Sequence, residues 1–567
     1  MTMSAERPWV DRCVAELAQG RLRGVYEDGV RVFRGVPYAE PPVGERRFRA
    51  PGPAPVWEGE RPAHTAGPAS MQVNGENMAR VVALMGEMVP QLPGNPQTPP
   101  YGYALYSQAN ISEDCLYLDI WVPDEAHTQP LPVYVYYHGG ANEVSSGSYL
   151  RERGATLARE GQVIVVRPNY RLSALGWLHV GLMDERMGEA VNLGLQDQFA
   201  ALRWVHDNIG SFGGDPDRIT IGGESTGAST VSHLLTNPAV RPLYRRAVVQ
   251  SFLPFEGWST QEKPEARDVA RRILDLVGIT DATELMSVDV ERLLAAQLVV
   301  LQAVGPDVNA AWRTTGAVVD GTIVPEMPLR YLTSDAAADD LRDKQLIFGV
   351  AKDEWQFWRS TSDTLRSGSR ESTRAVLTQV FSEDEAGRIL DFHLDAVPDD
   401  RRPGRALSDA MSFVHAKWGM LAVALNLSRR VPSWVFQFSW DLPGMGGLMR
   451  ATHTGDIPFL WGTYTPQDIA ALPPFHGIDL GRVSVISAAM RAMYAEFMRT
   501  GDPGADWRAF DRDGWNILWF GERLEMRPGL LRDEWDLMTG TKVRDISTLA
   551  DILTANGEAA RREAFGS

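Results

Sequence analysis

Cysteine is nearly absent from this chain. Cys13 and Cys115 are its only two among 567 residues, too few for a disulfide framework or a cysteine-rich metal site. Long apolar runs are missing as well. No segment approaches the roughly 18–20 residues needed to span a bilayer. The opening MTMSAERPWVDRCVAELAQG lacks the basic-then-apolar order of a secretory leader. These absences lead to the expectation of a cytoplasmic protein that works away from membranes. The ten histidines are scattered, with no HExxH and no pair at i, i+4, which argues against a zinc enzyme. Positive charge is also in deficit: 56 Lys+Arg stand against 73 Asp+Glu, for a net −17. A field of that sign repels phosphate, so nucleic acid and anionic membranes are not the expected partners.

What is present fits a globular chain, with 44% hydrophobic and 23% charged residues. The length exceeds an ordinary single core of roughly 100–200 residues. Several domains, or one large sheet with insertions, would account for it. No composition shift marks a linker, so one elaborated domain over 1–567 is the economical reading. Short apolar runs at 133–137, 163–167, 219–222, 247–250, 345–350 and 434–438 alternate with helical patterns. That alternation predicts an α/β sheet, and the continuous apolar character of the runs predicts strands covered on both faces. Over 195–209, Leu195, Phe199, Leu202 and Val205 recur at helical spacing, with Gly210 as a stop. Helix-like insertions occupy about 255–340 and 360–430. In an open sheet such insertions usually sit over the strand ends, where ligands bind. Residues 60–112, rich in Pro, Gly, Met and Gln, read as a long surface loop.

The run RITIGGESTGAS (218–229) contains a G-x-S-x-G centred on Ser225. In a chain with 52 glycines the pattern alone carries little weight. Its setting carries more, because a strand-like segment precedes it and a helix can begin at Thr226. A tight strand-to-helix turn projects the serine, flanking glycines remove clashing Cβ atoms, and the helix N-terminus favours developing negative charge. A glycine-rich turn with a capping serine is the competing reading.

Other segments resemble the type-B carboxylesterases, the cholinesterase-like α/β-hydrolases, in the same order along the chain. They are FRGVPYAEPPVGERRFRAP (33–51), SEDCLYLDIWVP (112–123), YYHGG (136–140), PNYRLSALGWL (168–178), the run 192–229, VVDGTIVPE (318–326), FGVAKDEWQFW (348–358), THTGDIPFLWG (452–462) and FMRTGDPG (497–504). The resemblance implies an α/β-hydrolase fold: a large, mostly parallel central sheet, helices on both faces and helical insertions over an active-site gorge. It also implies a cofactor-free and metal-free serine hydrolase that cleaves a small-molecule carboxylic ester through an acyl-enzyme. Carried over by position, Ser225 is the nucleophile, His453 the base and Glu354 the acid, in the chain order expected of such hydrolases. The base then loses activity as it protonates, near pH 6–7 for an ordinary histidine.

The oxyanion donors implied are the backbone N–H groups of Gly140, Ala141 and Thr226. Here the chain departs from its relatives. It reads HGGAN where they usually read HGGGF, and Thr226 replaces a usual alanine. An N–H survives any non-proline substitution, but alanine at a position with φ > 0 adds strain of about 1 kcal/mol. Asn142 and Glu143 stand where an aromatic is common. They either meet a polar substituent on the substrate or form a solvated loop edge. With Glu224, Trp355 and Trp358 they are the candidate pocket residues. Arg47 with Glu113, and Arg171 with Asp197, match structural ion pairs. The same machinery can act on a carbamate, amide or lactone, and some members of the family are non-catalytic adhesion proteins that lack the full triad.

Overall fold

The structure is a computed structural model. It describes residues 13–89, 108–125, 127–251, 260–303, 314–359, 365, 367–378 and 381–539. Each predicted apolar run forms a strand of an eleven-stranded mixed sheet. In chain order the strands are β1 (Val25–Glu27), β2 (Val30–Pro37), β3 (Tyr117–Pro123), β4 (Leu131–Tyr137), β5 (Ile164–Pro168), β6 (Gly214–Glu224), β7 (Arg246–Gln250), β8 (Gln345–Ala351), β9 (Ser433–Phe438), β10 (Asn516–Phe520) and β11 (Leu524–Pro528). Their spatial order is β11-β10-β9-β8-β7-β6-β4-β5-β3-β2-β1. Every pairing from β5 across to β10 is parallel, and the strands beyond pair antiparallel.

Four helices support the sheet and the site: α1 (Leu193–Asn208), α2 (Thr226–Thr236), α3 (Pro403–Ser412) and α4 (Leu480–Thr500). Strand β4 shows how the layers form. Its alternate residues Val133, Val135 and Tyr137 pack with Phe199 and Leu202 of α1 and Val231 and Leu234 of α2. Tyr134 and Tyr136 point the other way, into a core with Met490, Tyr494 and Phe497 of α4. A strand buried on both faces has no polar side to show, which is why it reads as a continuous apolar run. Parallel strands also share a direction, so the chain leaves β6, β8 and β9 on one edge of the sheet.

The segment 60–112 departs from the expected loop. It contains a helix, Met78–Met88, whose buried residues are Val81 and Met85. The described parts of the two insertions are mainly helical, with Lys263–Val277 and Val290–Ala303 in the first, beside a short strand pair of Thr260–Gln261 with Ala317–Val318, and Glu383–Ala396, α3 and Trp418–Leu427 in the second. Two ion pairs join segments separated in the chain: Arg47 Nε donates to Glu113 Oε2 at 2.6 Å, and buried Arg171 grips Asp197 of α1 with two bonds of 2.7 Å. Both cysteines are buried and free. No described helix is long and apolar enough to cross a membrane.

Candidate active site

Strand β6 ends at Glu224 and α2 begins at Thr226, leaving Ser225 alone in the turn with φ 58° and ψ −126°. That conformation is costly for a residue with a side chain, of order 1–3 kcal/mol, and persists because its surroundings enforce it. The two motif glycines show how tight the enclosure is. A Cβ on Gly223 would lie 2.3 Å from the carbonyl carbon of Gly227, and one on Gly227 would lie 2.0 Å from the carbonyl oxygen of Tyr137. The close packing of β6, α2 and β4 therefore dictates the G-x-S-x-G spacing. The Ser225 N–H is committed to the Gln250 carbonyl at 3.1 Å. The Thr226 N–H opens α2, where no preceding turn supplies an acceptor.

The turn after β4 lies against this elbow: a Cβ on Gly139 would sit 3.0 Å from that of Ser225. Gly140, Ala141 and Asn142 all take positive φ, at 104°, 59° and 58°. Ala141 thus occupies a left-handed position that favours glycine. The turn is held from within by Glu143 and Val144, whose N–H groups donate to the Gly140 carbonyl at 2.9 and 3.0 Å. From outside, Thr315 holds it twice. Its hydroxyl donates to the Ala141 carbonyl, and its own carbonyl accepts from Asn142 Nδ2, both at 2.9 Å.

The loop-edge reading of Asn142 and Glu143 is corrected here, since they are only 4% and 3% exposed. The Thr315 segment covers Asn142, and Gln297 of the first insertion donates to Glu143 Oε1 at 3.2 Å. Asn142 Oδ1 and Thr226 Oγ1 are buried with no hydrogen-bond partner among the described residues.

Glu354 follows β8 and His453 follows β9, and the structure brings them together. His453 Nδ1 lies 2.6 Å from Glu354 Oε2, while Glu354 Oε1 accepts the Ala351 N–H at 2.7 Å. The opposite ring nitrogen, Nε2, points toward the elbow, 3.3 Å from Oε1 of Glu224, the residue before the serine. All four side chains are buried. Phe357 meets the imidazole edge to face at 5.8 Å. It also lines a mainly apolar cleft behind the His453 loop, with Tyr149, Thr454, Ile457, Leu472 and Phe475. Trp355 is buried against the His415 ring at 5.0 Å. The Trp358 side chain lies outside the described residues.

Burial opposes a charged imidazole at 453, but the carboxylates of Glu224, Glu354 and Asp456 outweigh it and push its pKa up to about 9. The ordinary histidine value expected from sequence is corrected upward for this reason. Burial also holds Glu224 well above the usual carboxylate range and raises Asp456 to about 6. When Glu224 keeps its proton its pull on the imidazole vanishes, which leaves the hydrogen-bonded Glu354 as the constant one. Among the described residues, no group of His, Cys, Asp and Glu could hold a metal ion.

Sequence reasoning missed Asp456, whose Oδ2 accepts from Gln250 at 2.9 Å beneath the site. It also missed Thr315. Asp456 follows His453 by three residues inside a matched motif, which is a usable signal. Thr315 offers none.

A family model described as the carboxylesterase family matches residues 11–534. The chain is 30% identical to para-nitrobenzyl esterase of Bacillus subtilis over 503 residues, covering 87% of this chain and 92% of that protein. It is also 30% identical to phenmedipham hydrolase of Pseudarthrobacter oxydans over 519 residues, 90% and 96% of the two chains. Among solved structures, carboxylesterase EST55 of Geobacillus stearothermophilus superposes with a TM-score of 0.76 at 30% identity, covering 93% of this chain and 99% of that one.

Proposed function

Because the chain belongs to the carboxylesterase family, we propose that it hydrolyses small carboxylic esters with Ser225 as nucleophile, His453 as base and Glu354 as the carboxylate that orients it. The observation that carries this reading is the 2.6 Å contact from Glu354 to His453 Nδ1, which leaves Nε2 facing the elbow. Glu354 fixes the proton on Nδ1, so Nε2 is the atom that accepts one. As the Ser225 hydroxyl attacks the ester carbonyl, its proton passes to Nε2 and the carbonyl oxygen takes the negative charge. The N–H groups of Gly140, Ala141 and Thr226 receive that charge. Collapse of the intermediate breaks the bond to the alcohol, which leaves with the proton from Nε2. Water, deprotonated by the same nitrogen, then frees the acid and restores Ser225.

One relative is named for phenmedipham, a carbamate, so carbamates form a second substrate class for the same groups. The deciding experiment uses matched p-nitrophenyl ester, carbamate and anilide substrates with the native chain and Ser225→Ala. The expected outcome is ester rates above the others, and a loss of kcat by roughly 10⁴–10⁶-fold in the variant. A fluorophosphonate should label one serine, in the peptide 222–229. More than a few per cent residual activity, or a label elsewhere, overturns the assignment.

A further inference from the structure

Glu354 and His453 stand on loops from different strands, separated by 99 positions in the chain. Their 2.6 Å contact therefore depends on whatever fixes one loop against the other. The two are stitched directly beside the pair. The Asp353 N–H donates to the Ala451 carbonyl at 2.9 Å, and the Ala451 N–H returns to Asp353 Oδ2 at 3.2 Å. Arg450 Nη1 then lies 3.0 Å from Asp353 Oδ1. Arg450 itself takes a left-handed φ of 51°, which turns the chain at this point.

The stitch is anchored to a third element. The same Nη1 lies 3.2 Å from Asp409 Oδ1 on α3, and Asp409 is held in turn by buried Arg405 one helical turn earlier. Helix α3 also reaches the other side of the acid. Ser412 Oγ donates to the Ser408 carbonyl at 2.7 Å and accepts the Trp355 N–H at 3.0 Å. One helix of the second insertion thus grips the residue before Glu354, through Arg450, and the residue after it, through Ser412.

We propose that Arg450, bridging Asp353 and Asp409, is a positioning residue that holds Glu354 and His453 in register. The inference rests on the triad reading above. A largely buried bridge between two carboxylates suits this task, because the fixed carboxylates define where the guanidinium lies and the guanidinium defines where the base loop lies. Misplacement of a reacting group by about 1 Å can cost roughly 100-fold in rate.

The test compares Arg450→Met, which keeps bulk and loses charge, with Arg450→Lys. The readouts are kcat and KM on a p-nitrophenyl ester, the thermal midpoint, and the downfield proton NMR signal of the His453 Nδ1–H. Arg450→Met is expected to lower kcat by roughly 10–100-fold, leave KM within about twofold, and shift or broaden the Nδ1 signal in folded protein. Arg450→Lys is expected to recover most of kcat and the signal. A lower midpoint with unchanged kcat and an unchanged Nδ1 signal overturns the proposal, because it marks a purely structural bridge. If Arg450→Met does not fold, Asp409→Asn is read by the same criteria. Failure of the triad reading shows separately, as activity retained in Ser225→Ala.

Discussion

Ala141 holds an alanine in a left-handed backbone position that favours glycine. Its φ of 59° costs an alanine roughly 1–2 kcal/mol, and its carbonyl is held there by the Thr315 hydroxyl. Replacement by glycine removes that strain but loosens the unfolded chain by roughly 0.4–1 kcal/mol. Ala141→Gly should therefore be net stabilising by about 0.5–1 kcal/mol, with ester turnover within about threefold of native. Urea titration and steady-state kinetics check both. Equal or lower stability would show that the turn carries no strain at this position.

The second residue-scale prediction concerns pH. In the proposed mechanism His453 accepts a proton only when neutral, and its pKa is raised to about 9. The rate should therefore climb with pH through the alkaline side of neutrality rather than level off near 7. Glu224→Gln removes one of the carboxylates that favour the charged imidazole. Its kcat/KM profile should move toward lower pH, over the range in which Glu224 is ionised. A native profile already flat by pH 7 would contradict the raised pKa, and a variant displaced to higher pH would contradict the role given to Glu224.

At the scale of elements, the elbow depends on how closely β6, α2 and β4 approach. A methyl on Gly227 would lie 2.0 Å from a backbone carbonyl of β4, and no side-chain rotation relieves a backbone clash. Gly227→Ala should cost at least the roughly 1–3 kcal/mol of an overpacked interior and lower activity, because the elbow moves with α2. A thermal midpoint and rate both equal to native would show that the three elements have room to spare.

Elements were legible in the sequence where their signal was local. The central strands read correctly because burial on both faces makes their sequence apolar throughout, and α1 read correctly from the spacing of Leu195, Phe199, Leu202 and Val205. The helix Met78–Met88 was hidden, since only Val81 and Met85 of its residues are buried. Asn142 and Glu143 misled for a different reason. Polar residues in a turn imply solvent, and what covers them, Thr315 and Gln297, lies more than 150 positions away in the chain. Contacts of that range leave no periodicity to read. The Asp353–Arg450–Asp409 bridge was illegible on the same grounds.

Across the whole molecule, no covalent cross-link joins the layers, as both cysteines are free. Packing on the two faces of the sheet and buried ion pairs such as Arg171–Asp197 hold it together. The grip of α3 on both flanks of Glu354 has a practical consequence for recombination. A designer who swaps the segment around 403–412 for that of another esterase would also be replacing a strut beside the Glu354–His453 contact. Chimaeras of this scaffold should keep that helix with its own 450–453 loop, and place their crossovers in segments that touch neither.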